Sequence, residues 1–319
     1  MEGIQVFDRP ASQFFYSVAG RLLFIESFNP ELRKLIVELF AGWQLTPVSL
    51  PGRSPHIQIS FSCGEPQQGI PRDLEHFEIA EGGECHTDGT ELYLELGGAM
   101  VHLANQNSVY VSFTELPRLG SPLFGRAASF AVCAGLRRYG LFDMHSAGVV
   151  EPESGTGVLI VGPSGSGKST LTLQLVTSGW SYLSDDELLL SLVDGAVKAR
   201  GFRSFFAVSQ AGARVKHCFE PEIVLGSKRT AHALPGLLLF IRLNGELRSK
   251  LNGLTQIETM TRLIRACPWA TYDKSIAGVN LELLSTLARQ TRGFDLSAGR
   301  DLLEPGFAAS FLTASLNRS

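Results

Sequence analysis

The chain has 319 residues, 44% of them hydrophobic, with a formal net charge of −3. That length supports one large domain or two ordinary ones, each with its own core, and the small net charge excludes a global attraction to nucleic acid or an anionic membrane. No apolar run is long enough to span a bilayer, because the best candidate, Leu234 to Leu243, is broken by Pro235, Gly236 and Arg242.

Along the first third the pattern is that of a small α+β domain, expected over residues 1–118. Met1 to Asp8 lacks the basic start and apolar run of a secretory signal. Gln13 to Val18 and Arg21 to Glu26 flank Ala19-Gly20 as a hairpin. Asn29-Pro30 reads as a helix cap followed by proline at the first helical position. Leu32, Leu35, Ile36, Leu39 and Phe40 then recur at helical spacing up to Gly42. His56 to Ser62 alternates as a half-buried strand, and Thr90 to Phe113 reads as a meander turning at Gly97-Gly98 and Asn105-Gln106-Asn107. Pro51 to Pro55 and Gly64 to Pro71 have loop composition. No chemistry is evident in this part, and target recognition is the role left to it.

A boundary is expected around Pro117 to Pro122, with the second domain over residues 119–319. Leu123 to Tyr139 has the density of a buried helix ended by Gly140. Short strands then alternate with helices, the signature of an α/β core. Val158 to Val161 is a strand, Lys168 to Ser178 a helix, and Trp180 to Ser184 and Leu188 to Val193 further strands. Asp194-Gly195 turns the last of these into a hairpin with Ala196 onward. Leu254 to Cys267 reads as an amphipathic helix over the sheet, and Arg289 to Ser297 as a final strand region. The five cysteines, Cys63, Cys85, Cys133, Cys218 and Cys267, show no metal-ligand spacing. They read as reduced thiols, which points to a cytoplasmic protein.

Chemistry concentrates between strand and helix, at Gly162, Pro163, Ser164, Gly165, Ser166, Gly167, Lys168, Ser169 and Thr170. This is the P-loop (Walker A) pattern: glycines let the backbone curl so that amides converge on phosphate at a positive helix end. It predicts binding of ATP, with Lys168 bridging the β- and γ-phosphates and the Ser169 hydroxyl on Mg²⁺. A chance glycine-rich turn is the competing reading, disfavoured because lysine, hydroxyl and both flanking elements fall in place. Asp185 and Asp186 end the next strand. In a parallel arrangement they lie beside the loop, where one carboxylate meets Mg²⁺ and the other takes a proton from an attacking hydroxyl. An acidic turn is the alternative. His145, just before the strand leading to the loop, by itself reads as a structural residue more often than a functional one.

Together, His145-Ser-Ala-Gly-Val-Val, Gly157 to Thr170 and Leu183-Ser-Asp-Asp resemble the catalytic domain of the HPr serine kinase/phosphorylase group. The closer likeness is to the HprK-related kinases within it. The resemblance covers about Leu141 to Val193 and continues loosely through Leu237 to Ile241 and Leu254 to Leu263. It implies a fold related to phosphoenolpyruvate carboxykinase, His145 near the transferred phosphate, Asp185 as base and Asp186 helping to hold Mg²⁺. It also implies homo-oligomeric assembly. The group's Glu-Ile-Arg-Gly-type signature has no counterpart in Val197 to Ser204, which argues against HPr as acceptor and against a phosphorylase reaction. The function expected is transfer of the γ-phosphoryl group of ATP to a serine hydroxyl of a protein or peptide. A small-molecule kinase and a nucleotide-dependent switch or ATPase without an acceptor are the alternatives. A cation must stabilise the moving phosphoryl group; Arg203 is the first candidate, followed by Arg200, Lys228 and Arg229. Gly226 to Thr230 reads as a mobile loop able to close over substrate.

Overall fold

The computed structural model describes residues 13–49, 52–64, 69–79, 83–209, 216–219, 226 and 228–316. Met1 to Asp8 and Ser227 lie outside the described residues, as do parts of the Pro51 to Pro55 and Gly64 to Pro71 stretches. No helix among the described residues is long and apolar enough to cross a membrane. The chain is mixed α/β and falls into two compact units. The first runs to Ala41 and again over Leu45–Tyr139, and the second takes Gly42–Gln44 with Gly140 onward.

The first unit holds β1 (Gln13–Val18), β2 (Arg21–Ser27), α1 (Pro30–Ala41), β3 (Thr46–Pro47) and β4 (Ile57–Cys63). It continues with β5 (Glu75–Ile79), β6 (Gly83–Thr87), β7 (Leu92–Leu96), β8 (Ala99–Leu103), β9 (Ser108–Phe113) and α2 (Pro122–Arg137). Its strands form one nine-stranded sheet, ordered β3-β1-β2-β4-β9-β8-β7-β6-β5. Ala19 and Gly20 both have positive φ, the mirror-image turn that suits the twist of a two-residue hairpin. Asn29 Oδ1 accepts from the amides of Glu31 and Leu32, each at 3.0 Å, so α1 starts where its cap dictates. Leu32, Ile36 and Phe40 form its buried stripe. On β4, Ile57, Ile59 and Phe61 are buried in strict alternation.

Helix α2 belongs to this first unit, so the division falls after Tyr139 and not at the expected 118/119 boundary. The reason is packing. Ser121 caps the helix and Pro122 opens it, but its surface is apolar nearly all round and lies on β4, β8 and β9. A Cβ on Gly135 would stand 2.7 Å from Ile57 Cγ2, so glycine is what lets helix and sheet approach this closely.

The second unit contains β10 (Phe142–Met144), β11 (Ser146–Val150), β12 (Gly157–Val161), α3 (Lys168–Thr177), β13 (Ser181–Ser184), β14 (Leu188–Val193) and β15 (Ala196–Gly201). After these come β16 (Phe206–Ser209), β17 (Lys216–Phe219), β18 (His232–Ala233), β19 (Pro235–Leu243) and β20 (Lys250–Leu254). The chain ends with α4 (Gln256–Ala266), α5 (Trp269–Tyr272), α6 (Ala277–Gln290), β21 (Arg292–Ala298), a 3-10 turn at Arg300–Leu303 and α7 (Phe307–Leu316). A six-stranded sheet is ordered β13-β11-β12-β19-β21-β20, a four-stranded sheet β10-β14-β15-β18, and β16 pairs with β17. In the larger sheet β12, β19 and β21 are parallel, while β11, β13 and β20 run against their neighbours.

Alternation along β12 and β19 builds two cores. Leu159, Val161, Leu238 and Phe240 face Leu263 of α4, Leu283, Leu284 and Leu287 of α6, and the four-stranded sheet. Val158, Ile160, Leu237, Leu239 and Ile241 face Leu171 and Leu175 of α3 and Ala308 and Leu312 of α7. The central strands are therefore apolar throughout, as strands covered on both faces must be. Helix α4 carries a complete capping box between Thr255 and Glu258. Of the expected final strand region, Arg289 and Gln290 instead complete α6, and β21 begins at Arg292.

The hairpin joining β11 to β12 turns on Glu151, which is 4% exposed. Its Oε2 accepts from the amides of Glu153 (3.1 Å) and Ser154 (2.6 Å) and from the Ser154 hydroxyl (2.7 Å). Burial pushes this carboxyl up, but those hydrogen bonds outweigh it and hold its pKa below the usual carboxylate range. A depressed folded pKa contributes stability above the unfolded value and loses it as pH falls through the folded one. Glu151→Gln is therefore expected to lower stability at pH 7 by about 1–2 kcal/mol. It should also flatten the decline in stability below about pH 4.3. Denaturant titrations of both proteins at pH 7 and across the acid limb check this, and parallel acid limbs would contradict it.

Candidate functional site

Residues 162–167 join the end of β12 to the start of α3. A Cβ on Gly162 would stand 2.5 Å from Ser166 Oγ and 2.7 Å from the Ile241 carbonyl oxygen, so the loop closes only over a bare backbone. Gly165 and Gly167 have φ of +79° and +96°, a region that side chains disfavour. Pro163, Ser164 and Gly165 are exposed, whereas Ser166 is buried. Gly167 gives α3 no side-chain cap, so the amides of its first turn, which carries Lys168, Ser169 and Thr170, are not masked by one. Ser169 is half-buried and Thr170 exposed.

Lys168 is 5% exposed. Its Nζ donates to the carbonyls of Gly162 (2.7 Å) and Pro163 (3.0 Å) and lies 3.0 Å from His145 Nε2. An ammonium only donates, so Nε2 accepts and the ring proton sits on Nδ1. That nitrogen is 3.4 Å from Asp186 Oδ1. His145 thus lies between Lys168 and Asp186, hydrogen-bonded to the first and in close contact with the second.

The register explains this placement. Ser146 on β11 pairs with Val161 on β12, and Gly148 on β11 pairs with Ser184 on β13. Strand β11 lies between the other two and runs against both, so the ends of β12 and β13 reach the same edge where β11 begins. His145 precedes β11 and falls between the loop and the aspartates. One strand, β11, therefore separates the strand of the aspartates from the strand of the loop, and both end at that edge.

The two aspartates differ. Asp186 is half-exposed, with 43% of its side chain accessible. Asp185, expected as the base, is 1% exposed, with its Oδ1 3.3 Å from the Tyr182 hydroxyl. That hydroxyl is also 3.3 Å from the Phe205 carbonyl oxygen. Burial raises the Tyr182 pKa, the Asp185 charge and hydrogen bond raise it further, and Arg229 pulls it down. The phenol is therefore a fixed donor beneath the site.

Arg203 does not stand open to a phosphoryl group. Its Nε and Nη2 meet Glu187 Oε2 at 3.1 and 3.0 Å. Its guanidinium lies over the rings of Trp43 and Phe202 at 4.9 and 5.5 Å. Gln44 secures the same corner, donating from Nε2 to the carbonyls of Leu183 and Arg203. Arg200 is on β15 opposite His232, in the four-stranded sheet. Of the expected loop from Gly226 to Thr230, the part from Lys228 to Thr230 pairs along the edge of β13: Tyr182 N donates to Lys228 O at 2.8 Å, and Thr230 N to Tyr182 O at 2.9 Å. Arg229, in that segment, donates to Ser204 O at 2.6 Å and influences Tyr182 electrostatically.

Sequence reading missed Tyr182 and Glu187. Tyr182 has no signal, since an aromatic residue in a strand reads as core. Glu187 has one: counting back from the Asp194-Gly195 turn sets it opposite Phe202, beside Arg203, and Phe202 N does donate to Glu187 O.

No family model matches the chain. An excitatory amino acid transporter from Caenorhabditis elegans is 29% identical over 112 residues, covering 35% of this chain. The chain spans only a fifth (20%) of that transporter's length. The solved HPr(Ser) kinase/phosphatase from Coxiella burnetii is similar over 34% of this chain and 70% of its own, at 18% identity and a TM-score of 0.27. The likeness is thus partial, and the chemistry of the site has to be read from its own geometry.

Gly162→Ala tests that geometry. Its Cβ has no free space, so the variant is expected to lose about 1–3 kcal/mol by overpacking. A melting temperature lowered by several degrees is the readout; an unchanged one would show that the loop is loosely packed.

Proposed function

We propose that the second unit is an ATP- and Mg²⁺-dependent phosphotransferase acting on a serine hydroxyl of a protein or peptide. The observation that carries this reading is the placement of His145 between Lys168 and Asp186 at the uncapped start of α3. A lysine at a helix N-terminus binds phosphate in many proteins. A histidine and an exposed carboxylate in series with it add a group able to move a proton.

In this reading the amides of residues 164–169 cradle the phosphates. Lys168 Nζ exchanges the Gly162 and Pro163 carbonyls for β- and γ-phosphate oxygens. The oxygen donors near the loop, the Ser169 hydroxyl and the aspartate carboxylates, suit Mg²⁺. When bound there, Mg²⁺ supplies charge neutralisation on the phosphates. The acceptor approaches Asp186, because that carboxylate is open and Asp185 is closed in. Asp186 takes the hydroxyl proton, with His145 orienting it and stabilising the protonation change. Asp185, fixed by Tyr182, becomes the carboxylate on the metal side. This exchanges the roles expected for the two aspartates. Cys63, a free thiol, suits a reducing compartment.

Incubation of the purified chain with γ-labelled ATP·Mg²⁺ and a cell lysate tests the reading. A labelled protein band is expected, reduced about 100-fold or more by Asp186→Asn with nucleotide affinity retained. Asp185→Asn is expected to raise the Mg²⁺ requirement. Labelling that survives Asp186→Asn would remove Asp186 as the base. Label found only in small metabolites, or only as free phosphate, would replace the protein acceptor.

A further inference from the structure

The first unit presents a feature that the phosphotransferase reading does not use. Glu78, Glu84 and Glu95 occupy directly opposite positions on β5, β6 and β7. Directly opposite residues share a face, and like charges in that relation repel. Two residues along, His76, His86, Tyr93, His102 and Tyr110 form a second row on the same face, from β5 to β9.

Two histidines of this row are treated differently. His102 stacks on Tyr93 at 4.0 Å, and its Nε2 meets Glu91 Oε2 at 3.3 Å. His86 stacks on His76 at 6.0 Å, but its Nε2 is shielded from water and makes no hydrogen bond among the described residues. Its nearest carboxylate oxygen there, Glu84 Oε2, is 3.7 Å away, too far for a hydrogen bond. A shielded ring nitrogen without a partner is costly unless something is meant to meet it.

We infer that Glu84, His86 and Glu95 form a binding site for a divalent first-row transition metal of the Zn²⁺ class, separate from the nucleotide site. One ligand atom from each lies within 4.8 Å of the others, and both glutamates are exposed. The donor set selects the metal: one imidazole nitrogen with two carboxylate oxygens suits Zn²⁺ and its neighbours, whereas Ca²⁺ and Mg²⁺ favour all-oxygen shells. Water completes the coordination. Tyr93, next in the row, turns its hydroxyl to Glu91 instead, donating to Oε2 at 2.8 Å. The bound ion cancels the repulsion between Glu84 and Glu95 and ties β6 to β7 through side chains.

The full chain, stripped of metal and compared with a Glu84→Gln/Glu95→Gln double variant, tests this. Equilibrium dialysis against Zn²⁺ is expected to leave one ion fewer per chain on the variant. His86→Asn, retaining both carboxylates, is expected to weaken the same site about tenfold or more, since even outer partners of a metal ligand are worth that much. Thermal melts give an independent sign. Without metal the double variant is expected to melt above the wild type, because the like-charge pair is gone, and only the wild type should gain stability on adding Zn²⁺. Equal Zn²⁺ stoichiometry in the two proteins overturns the proposal, whatever their melting temperatures.

Discussion

The position of β11, antiparallel between β12 and β13, is the constraint on which the candidate site depends. If β13 paired directly with β12, the aspartates would adjoin the glycine loop and His145 would have no place between them. With β11 inserted, the residue preceding it lies at the edge where the loop begins and β13 ends. Backbone pairing thus places an imidazole between an ammonium and a carboxylate. The strand is itself secured by apolar packing on both faces, through Ala147 and Val149 on the α3 side, and by the Glu151 hairpin.

Burial of Lys168 follows from the same arrangement. An isolated ammonium at 5% exposure would be strongly disfavoured. Its three protons find three acceptors: two carbonyls of its own loop and His145 Nε2. Two of those acceptors are neutral carbonyls, which an anionic oxygen readily displaces, because charge-assisted hydrogen bonds are roughly twice as strong. The loop therefore holds its lysine in a satisfied yet exchangeable state. Below, the Tyr182 hydroxyl fixes Asp185, and Glu187 with Trp43 fixes Arg203. These contacts hold two charged groups in place, and they leave Asp186 as the open acid of the pair.

What the sequence reveals here is mostly what short-range chemistry decides. The Ala19-Gly20 and Asp194-Gly195 turns, the Asn29 cap and the alternation of Ile57, Ile59 and Phe61 each depend on a few neighbouring residues. The same holds for the strand-loop-helix unit around Lys168. Strands β5 and β6 are not legible, since Glu75–Ile79 and Gly83–Thr87 carry few apolar residues and gain their place by pairing with β7. Helix α2 reads correctly as buried, but its partner sheet is set by distant contacts, so the boundary is misplaced. Arg203 illustrates the same limit: its chemistry is right for phosphate, yet the ion pair with Glu187 depends on the register of a hairpin. The burial that separates Asp185 from Asp186 comes from Tyr182 and from residues far along the chain, and two adjacent aspartates look equivalent without it.

The central claim is that the loop from Gly162 to Ser169 holds the phosphates of a nucleotide through Lys168. Calorimetric titration of ATP·Mg²⁺ into the wild-type protein and into Lys168→Ala tests it most directly. Loss of a charge-assisted contact of about 1.5–3 kcal/mol predicts affinity weakened by about tenfold or more. Adenosine, lacking phosphates, should bind both proteins equally weakly. Equal affinity of the two proteins for ATP·Mg²⁺ would contradict the account.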